Sequence, residues 1–253
     1  MWIINKDNLH KIKNLDFNLP LILGVFLSLA NPPFSFPYII VAVLVVIGNY
    51  WLKKNYSPKK SFFFGFLFGF GYFSFSLVWI IEPFLVEPNI TVILAPFALI
   101  FLSGVLSFFW GSAFFFSSYK NDFKNKKISL FKLGICLSLA EILRSHLFTG
   151  FPWVLLGLAF IDTPISQVLS IFGPYWLTSI IIILCLIIPT GKKGILISIT
   201  GFFLLNIYGL YRDNNEVDDE INKQIRIIQP NILQKNKWKK DLEEDNFNKL
   251  IKL

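Results

Sequence analysis

The chain has 253 residues, 54% hydrophobic and 17% aromatic against only 16% charged, and a formal net charge of +8. Soluble domains average about 25% charged residues, so this balance, with a mean hydropathy of +0.58, argues for the membrane class and against an ordinary water-soluble domain. The basic residues cluster between oily segments and form no RNA-binding or helix-turn-helix pattern, which makes bilayer orientation their explanation and excludes nucleic acid as a partner.

A membrane helix needs about 20 apolar residues, about 17 at the short end. From Phe17 to Leu52 no residue is charged, but Asn31-Pro32-Pro33 and Pro37 interrupt the run. Proline lacks a helix donor and restricts the residue before it, so two short spans are predicted, about 17–30 and 37–52. Five more follow at about 61–81, 90–118, 129–148, 166–189 and 194–211, seven in all.

In the third, Gly65, Gly69 and Gly71 have the small-residue spacing that lets a neighbouring helix approach, while its phenylalanines read as lipid-facing. Glu82 and Glu87, beside Pro83 and Pro88, read as solvated residues on the outer side.

Seven spans place the two ends on opposite sides. Loops on the N-terminal side hold fourteen basic residues: Lys6, Lys11, Lys13, Lys53, Lys54, Lys59, Lys60, Lys120, Lys124, Lys126, Lys127, Lys132, Lys192 and Lys193. The opposite side carries one, Arg144. Lysine and arginine hold loops in the cytoplasm, so the N-terminus is predicted inside and everything after Tyr211 outside.

Glu141 and Arg144 lie three apart on a predicted helix, on one face and able to pair. A charge at membrane depth costs about 2.5–3.5 kcal/mol on insertion scales and usually faces the bundle interior. Two readings stand: a polar anchor beside a lipid-binding site, or a structural ion pair at the outer interface. Next, Gly150 and Pro152 break the helix, and Phe151 and Trp153 favour the interface, so Thr149 to Trp153 reads as a turn at the outer membrane surface. His146 reads as an interface polar residue. Cys136 and Cys185 sit in apolar runs without metal or disulfide spacing and read as small buried hydrophobes.

After the seventh span, residues 212–224 form a polar, acidic linker. Ile225, Ile227, Ile228 and Ile232 then have the β-branched density of a buried strand, and Trp238, Leu242, Phe247, Leu250 and Ile251 recur at near-helical spacing. One strand and one helix cannot close a core by themselves. No Ser/His/Asp constellation, phosphate-binding loop or metal spacing occurs, so neither cofactor nor metal is expected.

Three blocks carry a family resemblance. GFLFGFGYFSFSLVWI (65–80), AEILRSHLFTGFPWVLLGLAFIDTPISQVLSIFG (140–173) and IRIIQPNILQKNKW (225–238), in this order, resemble bacterial apolipoprotein N-acyltransferases. The resemblance implies a mainly α, polytopic membrane helix bundle over residues 1–211. The linker 212–224 then leads into the first strand and helix of an αββα nitrilase-like domain at 225–253. It implies further that this domain faces the periplasm from the inner membrane. There a Glu-Lys-Cys triad takes an acyl group from a phospholipid as a Cys thioester and passes it to the amine of a diacylglyceryl-cysteine apolipoprotein.

The family's three catalytic residues come later than Leu253, and no cysteine follows Cys185, so the chain is expected to be an inactive N-terminal part with no catalytic residue of its own. Trp238 matches a substrate-contacting tryptophan at the site entrance or is a core-packing aromatic. Gln229, Asn231 and Gln234 match the strand-end motif and shape its loop. The competing expectation is a noncatalytic membrane scaffold that binds lipid or a partner subunit. A small transporter fits less well, since the spans hold few ionisable groups beyond Glu141 and Arg144.

Overall fold

A computed structural model describes residues 18–85, 91–147, 150–213, 226–233, 236–237 and 239–251. They fall into two compact units, one drawn from Met1–Val78 with Ile100–Asn215 and the other from Trp79–Leu99 with Glu216–Leu253. The larger unit is helical, and each predicted span holds a helix.

The break at Asn31 to Pro37 divides the first apolar run into α1 (Asn18–Ser28) and α2 (Ile39–Lys54). Helix α2 ends where Asn55 adopts the left-handed conformation, φ 47°, and its N–H donates to the Trp51 carbonyl. Helix α3 (Pro58–Ser76) starts on a proline, whose missing donor is no loss at a first turn. Helix α4 spans Ala95–Ser118 and α5 spans Lys126–His146, the latter capped by the Asn125 side chain, which accepts from the Ile128 N–H. Helices α6 (Leu169–Ile187) and α7 (Lys192–Asp213) complete the set.

By length and apolarity, Val92–Ser118, Pro164–Thr190 and Lys192–Asp213 each suffice to cross a membrane, and a fourth follows if Pro58–Ser76 and Val78–Leu85 form one broken span. The predicted helix 166–189 is not continuous. Gly173, at φ 75°, leaves the helical region and Pro174 cannot donate backward, so the segment kinks there.

Helix α5 packs on α6, α6 on α2 and α7, and α7 on the short 3₁₀ turn Pro164–Val168. The predicted glycine approach in α3 is present. A Cβ on Gly71 would lie 2.2 Å from the Leu21 carbonyl oxygen, and one on Gly24 would lie 2.1 Å from that of Phe68, so α1 and α3 meet backbone to backbone. On another side of α3, Gly65 accommodates the Phe114 ring of α4.

The phenylalanine ladder corrects its sequence reading. Phe64, Phe68 and Phe73 are buried with Tyr72 against Trp110 and Phe114, while Phe63 and Phe75 face outward. A helix that is aromatic on every side gives no amphipathic signal, so its core face was invisible in one dimension. Outside this core, Phe101, Leu196, Ile199 and Phe203 are among many large apolar side chains more than half exposed, an apolar exterior suited to hydrocarbon.

In the smaller unit, residues 226–233 have no regular secondary structure, and among the described residues there is no strand. Of the isoleucines read as a buried strand, Ile227 and Ile228 are exposed, Ile227 at 88%, Ile232 is half-buried, and Ile225 lies outside the described residues. A strand's N–H and C=O groups need a neighbouring strand, and none lies alongside among the described residues. The predicted terminal helix is present as a turn, Lys240–Leu242, followed by α8 (Glu243–Ile251), whose first turn is acidic and whose last holds Lys249, in accord with its dipole.

Candidate functional site

A salt bridge is buried in the larger unit. Helix α5 carries Glu141 and Arg144 on its inward face, each about 1% exposed. The carboxylate accepts at Oε1 from Arg144 Nε (2.8 Å) and at Oε2 from Nη2 (2.8 Å), the bidentate arrangement that suits a guanidinium. Trp110 Nε1 on α4 donates a third bond to Oε1 at 2.7 Å.

The remaining guanidinium donors reach the turn after α5. Nη1 donates to the carbonyls of Phe151 (2.8 Å) and Trp153 (2.9 Å), and Nη2 to that of Val154 (3.3 Å). All five N–H donors of Arg144 are thus engaged. Its guanidinium also lies over the Phe73 ring, 5.1 Å from the centroid.

The same turn is held from α3. Tyr72 donates its hydroxyl proton to the Val154 carbonyl (2.8 Å), and Asn31 Nδ2 donates to the Tyr72 hydroxyl (3.1 Å) and to Ser76 Oγ (2.9 Å). The Tyr72 ring stacks on Trp110 at 5.1 Å and 10°. Val154 is β-branched yet sits at φ 52°, a conformation that costs about 1–3 kcal/mol and persists only where its surroundings enforce it. Two donors on its carbonyl supply that enforcement.

Gly150, at φ 84°, is required for a second reason: a Cβ there would meet the Ser145 carbonyl oxygen at 2.3 Å. Phe151 N–H closes the turn by donating to the Arg144 carbonyl at 3.1 Å. Pro152 and Trp153 are left exposed, Trp153 at 57%.

The predicted sites therefore divide. Glu141, Arg144, Gly150, Phe151, Pro152 and Trp153 come together as one assembly. The pair is a fixed part of this assembly, with every donor of Arg144 taken by acceptors of the protein itself. His146 is exposed; its Nδ1 lies 2.8 Å from the Ile142 carbonyl and its ring lies 5.1 Å from that of Tyr175. In the smaller unit, Gln229 and Asn231 line an open groove with Phe247 and Leu250 of α8, and Asn231 takes φ 49°. Gln234 and Trp238 lie outside the described residues.

Sequence reading missed Trp110, Tyr72, Asn31 and Ser76. A tryptophan inside an apolar run reads as filler unless its indole N–H is asked to find a partner, and that question was the available signal.

A family model described as "Apolipoprotein N-acyltransferase N-terminal domain" matches residues 23–187. The chain is similar to the "Apolipoprotein N-acyltransferase" of Aquifex aeolicus, 32% identical over 198 residues, covering 77% of this chain and 44% of that protein. A protein of the same name from Rhodopseudomonas palustris is 28% identical over 93% of this chain and 46% of its own length, and one from Coxiella burnetii 31% identical over 88% and 47%. The chain spans just under half the length of these relatives. With a matched segment that contains the whole Glu141–Arg144 assembly, the chain belongs to the apolipoprotein N-acyltransferase family.

Proposed function

We propose that these residues form the membrane platform of a phospholipid:apolipoprotein N-acyltransferase of a bacterial inner membrane. In this reading all seven helices cross the bilayer, the lysine-rich loops face the cytoplasm, and residues after about 212 are periplasmic. Residues 225–253 begin the nitrilase-like domain, whose strand forms against partners in that domain. The acyl transfer, from a membrane phospholipid through a Cys thioester to a diacylglyceryl-cysteine apolipoprotein, is the activity assigned to the complete enzyme.

The observation that supports the reading best is the match over residues 23–187. The platform's own chemical task is positional. The Arg144 network holds the 150–154 turn with Trp153 exposed at the outer surface, so that lipid and protein meet at a fixed height. Misplacement by about 1 Å is enough to lose roughly 100-fold in rate where a reaction depends on orientation.

A chimera tests it. Residues 1–224 replace the matching segment of the Aquifex aeolicus relative in a bacterium depleted of its own N-acyltransferase. Restored triacylated lipoprotein is the expected result. A membrane-inserted chimera yielding only diacylated lipoprotein, while the same exchange with the Coxiella burnetii segment restores the third chain, defeats the proposal.

A further inference from the structure

At the opposite end of α5 from the Glu141–Arg144 pair, a cavity of about 300 Å³ opens between three helices. Its walls are apolar: Ile128 and Phe131 of α5, Ile187 at the end of α6, and Ile197 of α7. Lys127 and Lys193 stand among these lining residues, and no acidic side chain lines the space. Lys126 and Lys192 adjoin them in sequence, and neither α5 nor α7 has an acid in its first turn. Two lysines thus line an apolar cleft that has no carboxylate in its wall to balance them.

The positive-inside bias explains why lysines occupy this side. It does not explain an apolar cleft beneath two of them. A water-filled cleft of this composition is unfavourable, and a free inorganic anion gains nothing from Phe131, Ile187 and Ile197. An amphiphile with a phosphate at one end and acyl chains at the other satisfies both halves of the cavity, as basic pockets between membrane helices do for acidic lipid headgroups.

We propose that this cavity binds an anionic phospholipid of the lysine-side leaflet, its phosphate between Lys127 and Lys193 and its chains along Phe131 and Ile197. A zwitterionic headgroup brings its own ammonium beside Lys127 and Lys193 and is disfavoured. The lipid fastens α5 to the α6–α7 hairpin from the face opposite the acyl-transfer side. The proposal rests on the membrane reading above, but not on catalysis.

Native mass spectrometry of the 253-residue protein, titrated with dioleoylphosphatidylglycerol or dioleoylphosphatidylcholine, tests it. Phosphatidylglycerol is expected to bind at least tenfold more tightly. Lys127→Gln with Lys193→Gln is expected to weaken that binding about 30-fold, at about fivefold per lysine. Lys53→Gln with Lys54→Gln, lysines of another loop on the same side, should leave it unchanged. Equal binding of the two lipids by the unaltered protein overturns the proposal regardless of how the variants fold. So does loss of phosphatidylglycerol adducts on adding inorganic phosphate, which assigns the cavity to a free anion, or dimers in place of lipid adducts, which assigns it to a second copy.

Discussion

Arg144→Ala is expected to destabilise the larger unit by about 3–5 kcal/mol, the range for breaking a buried pair by removing one partner. Glu141 then keeps a buried charge with only the Trp110 N–H as partner, and the carbonyls of Phe151 and Trp153 each lose the bond from Arg144 Nη1. Val154 retains the Tyr72 hydroxyl but not Arg144, so its left-handed backbone is less well enforced. Arg144→Lys recovers little, because an ammonium has three donors and lacks the planar fork that spans both Glu141 oxygens.

The double change Glu141→Leu with Arg144→Met separates stability from positioning. Replacing a buried ion pair with apolar residues is often neutral or better, so the fold is expected to survive, yet the turn is released. Unfolding in detergent micelles should therefore show a large loss for the single variant and a small one for the double. Acylation by the chimera should fall in both. Single-variant stability within about 0.5 kcal/mol of the parent, the usual effect of a surface change, removes the network from its structural role.

Gly24→Ala and Gly71→Ala are expected to cost about 1–3 kcal/mol each, the effect of overpacking a close contact. Each added methyl meets a backbone carbonyl that cannot rotate away, so α1 and α3 must part. Separation also moves Asn31, beyond the end of α1, from Tyr72 and Ser76 on α3, and so reaches the 150–154 turn. Once the helices have separated, the second methyl meets less resistance, and the double variant should lose less than the sum. Gly104→Ala is the control: no atom lies within 4 Å of its Cβ, and helix propensity predicts neutrality or slight gain. Equal stability of Gly24→Ala and Gly104→Ala contradicts the close crossing.

The helices were legible where a one-dimensional cue marked their ends. The lysines at 53–54, 126–127 and 192–193 and the prolines after Asn31 bracket apolar runs, and the structure puts helix ends close to each. The Glu141–Arg144 pair was legible because a spacing of three is a local property of a helix. Its partners were not. Asn31 and Tyr72 are 41 residues apart and Tyr72 and Val154 82 apart, and no local pattern reports such meetings.

Gly173-Pro174 could have been read as a kink, since the dipeptide combines a residue free to leave the helix with one unable to donate into it. Residues 226–232 show the limit of a local cue in the other direction. β-Branched density reports a chain suited to a sheet, but pairing requires other strands, and the described residues supply none.

The platform's orientation is tested most directly by alkaline phosphatase fused in frame after Asn214 and, separately, after Lys54. Seven crossings with the lysine-rich loops inside predict phosphatase activity after Asn214 and none after Lys54. Activity after Lys54, or an inactive but stably expressed fusion after Asn214, contradicts a platform that presents its turn and following residues outside the cytoplasm.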